Sequence, residues 1–176
     1  MNATLETNQL RQLDQQHHLH PFTDFRDYAQ NGGRIVSRAE HIYIFDSDGN
    51  KIQDAMSGLW CCSLGYSQDG IKQAVADQLM ELPFCTNLFK WSNQPAVELA
   101  SRLTSMAPAH FNKVFFTNSG SEANDTQIKF VHRYFQLLGK PEKRLIISRK
   151  NAYHGSTIAA GSLGGMSAMH EQTQGL

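Results

Sequence analysis

Nine residues at positions 117–125, TNSGSEAND, have the residue types of an anion-binding site. They follow a short apolar run and precede a long helical pattern. Backbone N–H groups at a helix N-terminus lack intrahelical acceptors, and the helix dipole adds partial positive charge there. Gly120 lets the chain approach a ligand closely, and the hydroxyls of Ser119 and Ser121 add hydrogen-bonding capacity. The sequence therefore predicts a phosphate site at this turn, and the turn alone leaves open which phosphate binds there.

Two common nucleotide motifs are missing from the chain. It contains no G-x-x-x-x-G-K-[ST] sequence, which argues against an ATPase loop, and no G-x-G-x-x-G sequence, which argues against a dinucleotide site. A phosphate held without a lysine or a metal motif suits a small phosphorylated cofactor better than a triphosphate.

A second candidate loop, YHGST at 153–157, follows the apolar run 145–148. In an open parallel sheet, ligands collect at the carboxyl ends of the strands. We therefore expect this loop and the phosphate turn to flank one pocket. The ring of Tyr153 is suited to stacking on an aromatic cofactor, and we expect His154 to line the same wall of the pocket. The alternative for Tyr153 is an ordinary half-buried loop residue.

Periodicity predicts the elements that position these loops. An apolar residue every three to four positions predicts helices over 69–82, from 94 to about 107, and over 121–138, each with a buried stripe. Strand patterns at 113–117 and 145–148, joined by a helix, predict a parallel β–α–β unit. The turn residues DSDGN at 46–50 predict a hairpin. Residues before about 33 look irregular or partly helical, and a short helix and loop are expected after residue 157.

Composition excludes several classes of function. The 176 residues carry a formal net charge of zero, which disfavours a nucleic-acid partner. No apolar run is long enough for a membrane span, and the polar N-terminal stretch lacks a signal-peptide core, so we expect a cytoplasmic protein. His17, His18 and His20 cluster without a metal-ligand spacing, and we expect no metal site there.

Four motifs in order carry a resemblance to a known family. They are HHLHPFTDF at 17–25, GLWCCSLGY at 58–66, TNSGSEAND, and NAYHGST at 151–157 followed by SLGGM. Together they resemble the class III aminotransferases, and most of all the amine:pyruvate (omega-) group. The resemblance implies the N-terminal part of an α/β, fold-type I transferase that uses pyridoxal 5′-phosphate. It implies an N-terminal segment with a β-hairpin at 1–56, then an incomplete large domain with a mainly parallel sheet at 57–176.

The resemblance also implies roles for matching residues. The cofactor phosphate would be held by three residues of the turn, Ser119, Gly120 and Ser121. Tyr153 would stack on the pyridine ring, and His154 would line the site. Substrate-binding positions would be Phe22, Leu59, Trp60 and Tyr153, with Cys85 and Leu88 near the entrance. Ser156 stands where ornithine-type and 4-aminobutyrate-type relatives usually carry arginine, which favours the amine:pyruvate group. Leu88 stands where similar enzymes often have phenylalanine, which bears on pocket size.

No catalytic residue is assigned in this chain. In the family the aspartate that pairs with the pyridine nitrogen and the reactive lysine both follow the YHGST segment. Lys113, Lys129 and Lys150 do not match the context of that lysine. We therefore expect part of a longer enzyme, inactive alone, whose full-length form is a homodimer with an amine donor and a keto acid such as pyruvate as substrates. The alternatives are a diaminopelargonic acid, ornithine or 4-aminobutyrate type of aminotransferase, or a non-catalytic fragment that pairs with a full-length subunit.

Overall fold

The computed structural model describes residues 6–172, which include the short helix and loop expected after residue 157. Contacts divide the chain into two compact units, Met1–Thr86 and Asn87–Leu176. The boundary predicted after residue 56 separates an N-terminal segment from the large domain of the family, which is not the division that the contacts make. That boundary stays a prediction. Within the described residues, no helix is long and apolar enough to cross a membrane.

The first unit begins with two helices, α1 (Thr7–His17) and α2 (Phe25–Asn31). A hydrogen-bond cluster around Asp14 joins them. Its carboxylate accepts from the Tyr28 hydroxyl of α2, and it contacts ring nitrogens of His18 and His20, each at 2.9 Å. The hydroxyl of Tyr28 is the main reason that the pKa of Asp14 falls to about 2. The partly helical start expected from the sequence is confirmed.

Three short strands follow: β1 (Val36–Glu40), β2 (Tyr43–Asp46) and β3 (Lys51–Gln53). They form an antiparallel sheet in chain order, and Ile44 pairs with Ile52 across β2 and β3. Asp46, only 4% exposed, closes the turn by accepting from the Asn50 backbone N–H at 2.8 Å and its side-chain amide at 2.9 Å. Because these bonds favour the carboxylate, with the Asn50 side chain the main cause, the pKa of Asp46 is lowered. The predicted hairpin is confirmed.

Five further helices complete the described chain. They are α3 (Asp69–Glu81) in the first unit, then α4 (Gln94–Met106), α5 (Gly120–Leu137), α6 (Ile158–Leu163) and α7 (Ser167–Gln172) in the second. The start of α4 is capped by Asn93, whose side-chain oxygen accepts from the N–H of Ala96 at 3.0 Å. Gly139, with a φ of +70°, follows the end of α5. These local signals confirm the predicted positions of the helices.

The predicted parallel β–α–β unit is not seen among the described residues and stays a prediction. Residues 113–117 and 145–148 form no ladder, and the sheet of the described part is antiparallel throughout. A strand exists only where a neighbouring backbone supplies acceptors and donors, and the described chain supplies none to these two runs. Leu145 and Ile147 are accordingly both 90% exposed.

The prediction from periodicity that the apolar helix stripes are buried is wrong for the described residues. On α3 the apolar residues Ile71, Val75 and Leu79 are more than half exposed, and on α4 the same holds for Val97. Helix formation is satisfied locally by caps and by i to i+4 bonds, whereas burial needs a facing element. Among the described hydrophobic residues, only Ala160 of α6 is buried.

Candidate active site

The phosphate turn ends in the N-terminus of α5. Ser119 is its N-cap, and the Ser119 hydroxyl oxygen accepts from the N–H of Glu122 at 3.1 Å. The Glu122 carboxylate in turn accepts from the N–H of Asn118 at 2.9 Å. The N–H groups of Gly120 and Ser121, at the first two helical positions, have no acceptor within the helix. The Ser119 side chain therefore shapes the turn, while Gly120 and Ser121 offer the donors that an anion needs.

The YHGST loop lies directly against this helix start. The backbone N–H of Ser156 donates to the hydroxyl oxygen of Ser121 at 3.0 Å. A hydroxyl that accepts one bond keeps its own proton for a second partner. Ser121 is thus held in place by the loop and still able to donate to a ligand. The two loops that the sequence predicted at one pocket are brought together by the structure.

Gly155 allows this close approach. A Cβ built on it would lie 2.6 Å from the hydroxyl oxygen of Ser121 and 2.8 Å from its Cα. Its φ of +133° is one that residues with a side chain rarely adopt. The loop can reach Ser121 only because position 155 carries no side chain.

Two further side chains of α5, which were not assigned from the sequence, also hold the loop. The amide of Asn124 donates to the backbone oxygen of His154 at 2.6 Å. The Asp125 carboxylate accepts from the Thr157 hydroxyl at 2.8 Å and from the N–H of Ala160, at the start of α6, at 2.9 Å. Asn124 and Asp125 follow Ser121 by three and four positions. That spacing places them on its face of the helix, and it is the signal that could have found them.

Tyr153 and His154 stand on this anchored backbone. The Tyr153 ring is about half exposed, at 54%, and His154 is partly covered. Because Asn124 fixes the backbone oxygen of His154, the backbone that carries both side chains is held against α5. Their assignment to a cofactor ring stays a prediction.

The predicted substrate residues of the first unit lie on strained turns. Phe22 is 81% exposed with a φ of +52°. Leu59 and Trp60 have φ values of +55° and +71°, and the Trp60 side chain is 82% exposed. Left-handed backbone costs roughly 1–2 kcal/mol for each residue that carries a Cβ. The turn therefore needs support from its surroundings, and the roles of these side chains toward a substrate stay predictions.

Comparison with known proteins defines the class to which this site belongs. The family profile described as Aminotransferase class-III matches residues 27–176. The chain therefore belongs to the class III aminotransferases, as its motifs predicted.

Similar proteins include one aminotransferase and one probable transaminase. The chain is 49% identical over 167 residues to the putrescine–pyruvate aminotransferase of Pseudomonas aeruginosa. This match covers 95% of this chain and 37% of that enzyme. It is 48% identical over 137 residues to a probable mitochondrial gamma-aminobutyrate transaminase 2 of Oryza sativa subsp. indica, covering 77% of this chain and 28% of that protein. The chain thus spans little more than a third of the length of the first of these relatives.

Comparison with solved structures confirms the predicted fold class. The omega transaminase of Pseudomonas jessenii, solved in complex with PMP, matches with a TM-score of 0.89 and 43% identity over 95% of this chain and 36% of that one. An (S)-enantioselective omega-transaminase from Thermomicrobium roseum matches with a TM-score of 0.92 and 33% identity, over 96% of this chain and 38% of that one. Over the matched region, the backbone of this chain is therefore similar to that of these two omega-transaminase structures.

Proposed function

We propose that this chain provides the cofactor-phosphate seat of an aminotransferase that moves an amino group from an amine to a keto acid such as pyruvate. The observation that carries the proposal is the YHGST loop locked onto the N-terminus of α5, where Ser121 accepts from Ser156. The names of the relatives support amines as donors, and one of them supports pyruvate as acceptor. Ser156 supports the amine:pyruvate group over the ornithine type.

The residues present suit pyridoxal 5′-phosphate. Its phosphate is an anion, and the helix start offers the N–H groups of Gly120 and Ser121 together with the Ser121 hydroxyl. A Cβ built on Gly120 meets nothing within 4 Å, so the described residues leave the side-chain position of Gly120 open. When bound, the cofactor would supply the electron sink that amino-group transfer requires. The chain's part is to bind the phosphate, to place Tyr153 against the ring and to present Trp60 and Leu59 to the amine.

The reactive lysine and the acidic partner of the ring nitrogen are not assigned to any position of this chain. We therefore propose that the 176 residues alone do not transaminate. We also propose, from the resemblance to the family, that the complete enzyme is a homodimer. The cytoplasmic location expected from the sequence stays a prediction.

The experiment compares amine donors in the complete enzyme. With pyruvate as acceptor, alanine formation is followed with putrescine and with 4-aminobutyrate, the two donors that the relatives suggest. Ser121→Leu should lower cofactor retention first, because a bulky side chain replaces a hydrogen-bond donor at the phosphate seat. Trp60→Ala should alter the preference between donors while the cofactor is retained. Gly70→Ala, at an open position of α3, is the matched control.

Two results would contradict the proposal. Equal loss of cofactor from the Ser121 and Trp60 variants would remove the division of roles between seat and substrate wall. Alanine formation by the 176-residue chain alone would show that its own lysines complete the reaction.

A further inference from the structure

The segment Ser57 to Trp60 has a backbone conformation that its sequence does not favour. Its four consecutive residues have φ values of +52°, +59°, +55° and +71°, and only the second, Gly58, lacks a Cβ. Non-glycine residues visit this region singly as a rule, and a run of them persists only where the surroundings determine it. We refer to residues 57–60 as the left-handed turn.

The carboxylate of Asp54 holds the left-handed turn at its start. One oxygen accepts from the N–H of Gly58 at 2.7 Å and from the hydroxyl of Tyr66 at 2.5 Å. The other accepts from the N–H of Met56 at 3.1 Å. Both oxygens of Asp54 are therefore used, and three donors depend on one side chain.

Tyr66 ties this carboxylate to the sheet. Its backbone N–H donates to the backbone oxygen of His41, in the turn between β1 and β2, at 2.7 Å. The preceding Gly65 has a φ of +78°, and a Cβ on it would lie 2.7 Å from the same oxygen. The hydrogen bonds thus run from His41 through Tyr66 and Asp54 to Gly58. The sheet fixes the direction in which the left-handed turn presents its last two side chains.

Those side chains are Leu59 and Trp60, which make no large buried contact in the described part of the chain, being 61% and 82% exposed. Their direction is set by the backbone beneath them rather than by packing around them. From this we propose that Asp54 and Tyr66 are positioning residues that fix Leu59 and Trp60 and so determine which amines the enzyme accepts. The inference rests on the proposed function for its substrate, whereas the support of the turn is independent of that function.

The test separates the support of the turn from its consequence for substrates. Tyr66→Phe removes one hydroxyl and keeps the ring, and Asp54→Asn keeps the volume and removes acceptor capacity. Tyr43→Phe is the matched control, since Tyr43 lies on β2 and takes no part in the Asp54 contacts. In the 176-residue chain, hydrogen exchange at the Gly58 amide should quicken by roughly tenfold or more in Tyr66→Phe and in Asp54→Asn. In a Trp91→Phe background, where Trp60 is the single tryptophan, its fluorescence anisotropy should fall in the same two variants.

In the complete enzyme loaded with cofactor, both variants should change the ratio of kcat/KM for putrescine to that for an aromatic primary amine by at least about threefold. Cofactor retention should match the control. Gly58 exchange equal to that of Tyr43→Phe would overturn the inference, as would a loosened turn with an unchanged ratio. A wild-type enzyme that transaminates neither amine would refute the proposed function instead, and exchange at Gly58 would still decide whether Asp54 and Tyr66 hold the turn.

Discussion

Replacement of Gly155 by alanine tests the contact on which the candidate phosphate site depends. The added Cβ would lie 2.8 Å from the Cα of Ser121 and 2.7 Å from the Cβ of Ala160. Neither neighbour is the mobile end of a long side chain, so the YHGST loop or the start of α5 must shift. The hydrogen bond from Ser156 to Ser121, at 3.0 Å, lies at the point of this shift and should be lost or lengthened.

Two separate costs give the expected size of the effect. An alanine at a φ of +133° carries backbone strain of about 1–3 kcal/mol. Forcing a methyl group into an occupied space costs about 1–3 kcal/mol more. We therefore expect Gly155→Ala to lower the free energy of unfolding by about 2–6 kcal/mol.

Gly139→Ala separates the two costs. Gly139 also has a positive φ, +70°, but a Cβ on it meets nothing within 4 Å. Its replacement should cost only the strain of left-handed backbone, roughly 1–2 kcal/mol. Both variants are unfolded with urea, and the transition is monitored by circular dichroism. If the free energy of unfolding falls with urea concentration at a similar slope in both, their midpoints can be compared directly. An effect at position 155 no larger than that at position 139 would refute the contact with Ser121, and so would unchanged binding of pyridoxal phosphate by Gly155→Ala.

Three further predictions follow from the remaining contacts. Gly120→Ala should leave urea unfolding of the chain unchanged or slightly more difficult, since the position is open and helical, yet weaken pyridoxal phosphate binding in a fluorescence titration; unchanged binding would place the anion elsewhere. The Asp54 carboxylate raises the pKa of Tyr66 to about 12, so the stabilising effect of this contact is complete below pH 10 and is lost as the pH rises through 12. Asp14 raises the pKa of Tyr28 as well, so an absorbance titration should show both phenols titrating late, and Tyr66→Phe should remove the one at about pH 12. The Tyr28 hydroxyl lowers the pKa of Asp14 from 3.8 to about 2, so the stabilising effect is complete above pH 3.8 and is lost as the pH falls through 2; thermal unfolding of Asp14→Asn should lack this acid dependence, and identical pH profiles would contradict the assignment.

Elements defined by neighbours in the chain were predictable from the sequence. Asn93 caps α4 with an acceptor three positions before Ala96, and the hairpin turn is closed by Asp46 on Asn50. Each of these contacts spans four residues or fewer, so the residue types and their order contain the information. The same holds for the helix start at Gly120, where a capping serine precedes the first turn.

Features that need a distant partner were not predictable in the same way. The runs at 113–117 and 145–148 have the composition of strands but no neighbouring strand among the described residues, and composition cannot supply one. The contact between Asp54 and Tyr66 spans 12 positions, with no periodicity linking them. A left-handed turn at 57–60 contradicts local preference, because three of its four residues carry a Cβ. The backbone conformation of this turn is therefore the feature that sequence reasoning is least able to find.

The two glycines of the site show how structure changes the meaning of a motif. The sequence singled out Gly120 as the residue that allows close approach, since it stands in the phosphate turn. The structure leaves open space around Gly120, whereas a Cβ on Gly155 would lie 2.6 Å from the Ser121 hydroxyl oxygen. Gly155 is therefore the glycine required by packing within the described residues, whereas these residues do not require a glycine at position 120. If alanine is tolerated at 120 by the fold but not by phosphate binding, the open space beside the helix start is where the anion sits.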